Sequence, residues 1–171
     1  MIELADNNII VQPTTKHLTP TKTNLDTFII SCDTDMDYAL GLSTIWTSTA
    51  QNLLIIEEDM QPTIGQIQRI LACDFPLCTG MYFSSPSHTG LDHDIVPHRD
   101  ETGFLDPNGN SNFCLTAGLG FAKIGKYWRT ITHVPLVHWK KLDIELSKEV
   151  LKYGKRPWHL HRDMWIKHEQ S

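Results

Sequence analysis

The order of apolar patterns along the chain predicts an α/β layered fold with a mainly parallel central sheet. Three observations lead there. Leu53-Leu54-Ile55-Ile56 is a short, continuous apolar run of the kind that becomes a strand buried on both faces. Strand-like runs alternate with stretches whose apolar residues recur at helical spacing, the pattern of helices packed on a sheet. Polar and acidic residues follow directly after the runs, where ligands bind in open sheets of this class.

The first strand is expected over residues 9–12, ending at Pro13-Thr14-Thr15, and residues 16–26 have the Thr, Lys, Pro and Asn content of a loop. Thr27 to Cys32, with its β-branched and aromatic residues, predicts a second strand. Ala39, Leu42, Ile45, Trp46 and Thr49 then mark a helix, with Thr34 or Asp35 as its cap. Leu53–Ile56 is the third strand. Ile64, Ile67, Ile70 and Leu71 predict a short helix after Pro62-Thr63, and residues 76–83 a further strand. Residues 84–113 carry Ser, His, Asp, Gly, Pro and Asn without apolar period, including His88, Asp92, His93, Asp94, His98, Arg99 and Asp100. A loop of that length predicts a lid. Regularity resumes at Leu119–Ile124. Leu142, Leu146, Val150 and Tyr153 form the stripe of an amphipathic helix closing at Gly154. Strands around Trp158–His161 and Trp165–His168, expected to pair, end the chain.

With 171 residues, the chain has the size of a single domain spanning 1–171. A formal charge of −5 offers no basic surface for nucleic acid. There is no apolar run long enough for a membrane span and no signal-type leader at Met1–Asp6. Cys32, Cys73, Cys78 and Cys114 contain no CxxC pair, and Cys32 and Cys78 lie in apolar segments, which suits free thiols in a reducing cytoplasm.

The parallel rim brings Pro13–Thr15, Asp33–Asp35 and Glu57–Asp59 together. Three successive carboxylates repel one another unless solvent or a cation offsets the repulsion, and Mg²⁺ or Mn²⁺ takes such oxygen ligands. The pleat sends Glu57 and Asp59 to one side, toward metal and nucleotide, and Glu58 to the other in a supporting role. Thr14 and Asp33 join the nucleotide side, with Asp35 a nucleotide contact or a helix cap. The alternative for the triplet is a solvated acidic turn. His133, His138, His159, His161 and His168 crowd the last third. A zinc site built from histidines alone lacks H-E-x-x-H or Cys/His finger spacing.

Ile55 to Pro62 resembles the strand and D-x-D-type motif of GT-A fold glycosyltransferases. Asp74–Tyr82 resembles the strand after the motif helix. Ala117–Ile124 resembles the glycine-containing turn that backs a donor sugar, here Gly118 and Gly120. Trp139–Asp143 resembles the opening of the acceptor-side helix, and the terminal segment resembles the strand that supplies a histidine to the metal. The resemblance covers residues 27–168 and is nearest to compact phage-type or bacterial minimal forms, although Glu57 stands where the motif has Asp. It implies a GT-A-like, Rossmann-like three-layer fold. It also implies sugar transfer from a nucleotide-sugar donor to an acceptor hydroxyl on a glycan, protein, lipid or modified base. In this reading Mn²⁺ or Mg²⁺ holds the diphosphate through Asp59, Glu57 and His168, or His161 in its place, and Asp143 is the catalytic base. Trp139 and Trp158 are candidate sugar platforms. Two other functions fit the same residues. One is a metal-dependent hydrolase or nucleotidyltransferase using the acid and histidine cluster. The other is a non-catalytic carbohydrate- or nucleotide-binding module.

Overall fold

The computed structural model describes residues 7–15, 25–82, 112–155 and 157–168. The expected lid, 84–113, lies outside the described residues except for its last two positions.

Nine strands and four helices occur among the described residues, in the order β1 (Asn8–Thr14), β2 (Asp26–Ser31), α1 (Asp37–Trp46), β3 (Asn52–Ile56), β4 (Met60–Gln61), α2 (Ile64–Leu71), β5 (Leu77–Met81), β6 (Phe113–Cys114), β7 (Phe121–Gly125), α3 (Lys126–Ile131), α4 (Trp139–Leu151), β8 (Trp158–Trp165) and β9 (Lys167–His168). Seven strands form one sheet in the order β2-β1-β3-β7-β5-β8-β6, and β4 pairs with β9 apart from it.

This sheet is mixed, which overturns the expected mainly parallel, Rossmann-like arrangement. β1 is parallel to β2 and β3, and β5 to β8, but β3–β7, β5–β7 and β6–β8 are antiparallel. A parallel neighbour needs a crossover connection, usually a helix. β7 instead emerges from a turn at Leu119-Gly120, where the Gly120 carbonyl accepts the Glu57 N–H at 2.9 Å. The chain therefore runs back along β3, with Phe121 opposite Ile56 and Gly125 opposite Asn52. The residue pattern shows that Phe121–Ile124 is extended and, apart from Lys123, apolar. It carries no information on direction.

Both faces of the sheet are covered, which is why β3 is apolar from Leu53 to Ile56. Val11, Leu53, Ile55, Leu77, Ala122, Ile124, Trp158 and Leu160 pack with Tyr38, Leu42 and Trp46 of α1 and with Leu142, Leu146 and Val150 of α4. Ile10, Leu54, Ile56, Cys78 and Phe121 face Ile67 and Ile70 of α2. Gly41 lets α1 settle on β2, since a Cβ there would run into the Ile30 side chain.

The helices begin and end for identifiable reasons. Thr63 opens α2 with a complete capping box: its hydroxyl accepts the Gln66 N–H at 3.2 Å while the Gln66 side chain accepts the Thr63 N–H at 2.8 Å. Thr63→Ala is expected to lower stability by about 1 kcal/mol, measured by urea denaturation. No loss would mean that tertiary contacts alone hold this turn. In α1 the expected caps, Thr34 and Asp35, are not used. Asp37 in the first turn accepts the Thr34 N–H instead, and the Thr34 side chain together with that N–H holds its carboxyl below the usual range. α4 is capped by His138, whose Nδ1 accepts the Lys140 N–H. The helix ends at Leu151, and Gly154 lies beyond it, close against Trp128. α3 was not expected from the sequence. The expected terminal strand pair is also different: β8 is one eight-residue strand, and β9 pairs with β4 rather than with it, His168 opposite Met60.

Candidate functional sites

β2, β1 and β3 are parallel neighbours, so their carboxyl ends share a rim. A cleft of about 310 Å³ opens there, lined by Thr14, Thr15, Asp33, Asp35, Tyr38, Glu57, Glu58, Asp59 and Trp139 among others. Glu58 ties the end of β1 to the end of β3. Its carboxylate accepts from the Thr14 hydroxyl at 2.8 Å, the Thr15 N–H at 2.9 Å and the Thr15 hydroxyl at 2.6 Å. Across the cleft, Asp35 receives the start of α4. Its carbonyl accepts the Trp139 N–H at 2.9 Å, and its carboxylate lies 3.0 Å from His138 Nε2. Trp139 is half exposed at the cleft edge, stacked against His138.

Glu57 is the electrostatic centre of this cleft. Burial pushes its carboxyl up to about 7, with the charges of Asp59, Asp143 and Glu58 adding to the shift. The facing Tyr38 hydroxyl opposes it from a position short of full hydrogen-bond geometry. Burial and the neighbouring Glu57 raise Tyr38 and Tyr82 well above the ordinary tyrosine value, so both remain neutral donors. Tyr82 is not idle: its hydroxyl accepts the Gly120 N–H at 2.9 Å. A Cβ at Gly120 would come within 2.6 Å of the end of the Met60 side chain and 2.8 Å of the Tyr82 ring, so any larger residue would have to displace them to keep this turn beside Glu57. Gly118 is buried two residues earlier.

The other candidates divide. Asp143 lies on α4, where burial raises its carboxyl and the Ile144 N–H, at 2.7 Å, works against the rise. It is near enough to Glu57 to contribute to that group's shift. The His168 backbone runs beside Met60, one residue beyond Asp59. Trp158 is fully buried in the core, so it is no sugar platform. His161 sits on the opposite face of the sheet from α1 and α4, and its company is different.

There, Cys73, Cys78, His159 and His161 bring two sulfurs and two imidazole nitrogens within 4.8 Å of one another. Among the described residues this is the one group arranged to hold a metal. Two thiols and two imidazoles suit Zn²⁺, whereas Mn²⁺ and Mg²⁺ favour oxygen donors. The expectation of Mn²⁺ or Mg²⁺ held by Asp59, Glu57 and a histidine is thereby corrected. The donors come together by pairing: Cys78 is the register partner of His159 on the parallel strands β5 and β8, and the two-residue period of β8 puts His161 on the same face. Cys73 enters from the end of α2. The sequence signal is a Cys-x₄-Cys and a His-x-His some eighty positions apart, neither of which has finger spacing by itself.

No family model and no curated protein matches the chain. Among solved structures it is similar to the crystal structure of A197 from STIV, with 10% identity, 96% of this chain and 95% of that chain covered, and a TM-score of 0.64. At that identity the likeness concerns the fold alone. The resemblance to GT-A glycosyltransferases is therefore corrected on three grounds: the sheet is mixed, the metal-type cluster is Cys/His rather than acidic, and no glycosyltransferase family matches. The assignments as a metal-dependent hexosyltransferase and as a manganese enzyme fall with it.

Proposed function

We propose that this chain is a non-catalytic binding module whose acidic cleft holds a neutral, hydroxyl-rich ligand of nucleoside or sugar type. The observation that carries the reading is the lining of the cleft: carboxylates of Asp33, Asp35 and Asp59, the carboxyl of Glu57, the hydroxyl of Thr34, and the half-exposed ring of Trp139 at the edge. Carboxylates accept strongly from ligand hydroxyls, and an indole face covers a base or the apolar side of a sugar ring. The same carboxylates repel phosphate, so the unphosphorylated form is the better ligand. Glu58 is engaged with Thr14 and Thr15 and acts by shaping the wall. Four free cysteines suit a reducing compartment such as the cytoplasm, and no helix among the described residues is long and apolar enough to cross a membrane.

Calorimetric titration with nucleosides, monosaccharides and the corresponding nucleoside diphosphates, in metal-free buffer, tests the proposal. Expected is binding of at least one neutral ligand, about tenfold weaker binding of its phosphorylated form, and a loss of about fivefold to tenfold on Trp139→Ala, corresponding to about 1 kcal/mol of ring contact. Tighter binding of the diphosphate, or no binding anywhere in the panel, refutes it.

A further inference from the structure

The Cys/His cluster lies on the other face of the sheet from the cores of α1 and α4, and its chemistry is independent of the cleft. We propose that Cys73, Cys78, His159 and His161 form a zinc centre whose ion is released when its two thiols are oxidised to a disulfide.

The zinc half of this inference rests on preorganisation. Tetrahedral Zn²⁺ with sulfur at about 2.3 Å and nitrogen at about 2.0–2.1 Å places its donors roughly 3.3–3.8 Å apart. Cys73 Sγ and His159 Nδ1 stand 3.5 Å apart, the two sulfurs stand 3.0 Å apart, closer than a bound ion would set them, and all four donors fall within 4.8 Å, so small side-chain shifts complete the tetrahedron. The rings are held in place: His159 stacks on Phe75 at 4.3 Å and meets His161 edge-on at 4.7 Å. His161 is 8% exposed, and its Nε2 is buried with no hydrogen-bond partner. Such an orphaned polar group is what a bound metal, or the ligand orientation it imposes, accounts for. Lys123 is 2% exposed, and its ammonium donates to the Cys73 carbonyl on the same face.

The redox half rests on the thiol pair. Cys78 Sγ lies 3.0 Å from Cys73 Sγ, while Cys32 and Cys114 belong to the other face of the sheet. Cys73 is partly exposed and Cys78 fully buried, so an oxidant meets Cys73 first and Cys78 stands behind it. With a peroxide as oxidant, the Cys73 sulfur attacks one oxygen and the O–O bond breaks, giving a sulfenic acid and hydroxide. Cys78 then attacks the oxidised sulfur, the S–O bond breaks, and a second hydroxide leaves. Two electrons pass from the sulfurs to the peroxide, two solvent protons convert the hydroxides to water, and one disulfide forms. Two imidazoles alone hold Zn²⁺ far more weakly than the full set, so the ion departs.

The test uses the full chain, reduced and freed of metal. Titration with Zn²⁺ against a chromophoric chelator is expected to show one ion per chain, with His161→Ala at least 100-fold weaker and Cys32→Ser unchanged. Co²⁺ is expected to give the visible absorption of a tetrahedral site with thiolate charge transfer. One equivalent of hydrogen peroxide is then expected to release one Zn²⁺ and yield a Cys73–Cys78 disulfide by peptide mass mapping, reversed by dithiothreitol. Absence of stoichiometric zinc in the unsubstituted chain overturns the site. Zinc that binds but stays through oxidation, or a disulfide between other cysteines, overturns the release. These outcomes are read on the unsubstituted chain and do not depend on a variant that folds, and none of them bears on the ligand of the cleft.

Discussion

Glu57→Gln is expected to stabilise the protein at pH 8 by at most about 3 kcal/mol and to change it little at pH 4. In the folded chain this carboxyl titrates at about 7, against an ordinary value of 4.5. A group whose folded value is raised contributes fully below the unfolded value, and its contribution is lost as pH rises through the folded one. Below about pH 4.5 Glu57 is protonated in both states. Between about 4.5 and 7 the unfolded chain releases its proton while the folded chain retains it, so stability falls steadily. Above 7 the folded chain carries a half-buried carboxylate beside Asp59, and the loss is complete, at most about 3 kcal/mol for a shift of this size. Glutamine keeps the shape and removes the charge. Urea denaturation at several pH values from 4 to 8 measures the difference between the two proteins, which should open over that window and level off above it. A constant difference, or a less stable variant at pH 8, contradicts the assignment of the shift to burial. Asp59→Asn should move the midpoint of the window downward, because it removes the largest neighbouring charge that acts on Glu57.

Arg129→Met carries an effect of similar size for a structural reason. α1 ends at Trp46, and the carbonyls of a helix C-terminus lack partners within the helix. Arg129, on α3 and 5% exposed, reaches them from a distant part of the sequence. Its guanidinium donates to the Trp46 carbonyl at 2.7 Å, to the Ser48 carbonyl at 3.2 Å and hydroxyl at 3.1 Å, and to the Ala50 carbonyl. Burial lowers its pKa from the ordinary value, yet it stays charged, and that charge also complements the negative end of the α1 dipole. In return the Trp46 indole donates to the Thr132 carbonyl at 3.1 Å. Methionine fills the space but leaves several buried carbonyls unsatisfied, at a cost of about 3–5 kcal/mol. Thermal unfolding should show a melting temperature lower by about 6–15 °C, with Arg129→Lys intermediate because it keeps the charge without the fork. A fall of under 2 °C in the methionine variant would show that solvent satisfies these carbonyls equally well.

The sequence anticipated what depends on local pattern. β3 announces itself as four apolar residues because both of its faces are covered. α2 follows from the apolar period of Ile64, Ile67, Ile70 and Leu71 after Pro62-Thr63, and α4 from Leu142, Leu146 and Val150. Thr14, Asp33 and the acidic triplet meet at one rim because β2, β1 and β3 are parallel, and strand ends are legible from the residues that follow them. α3 escaped notice because six residues, Lys126–Ile131, are too few to show a period. β4, β6 and β9 are two-residue strands that exist only by virtue of their partners.

By itself, then, the sequence determined which of the longer segments are extended or helical, which side chains are apolar enough to be interior, and where carboxylates gather after a strand. Each follows from residues within a few positions of one another. Tertiary structure alone decided the direction of β7, and with it the mixed sheet, because apolar extended residues pair equally well in either direction. It also decided which ligands a metal would meet. Cys78 and His159 lie 81 positions apart in the numbering and become register partners only through the pairing of β5 with β8, and no local pattern encodes that pairing.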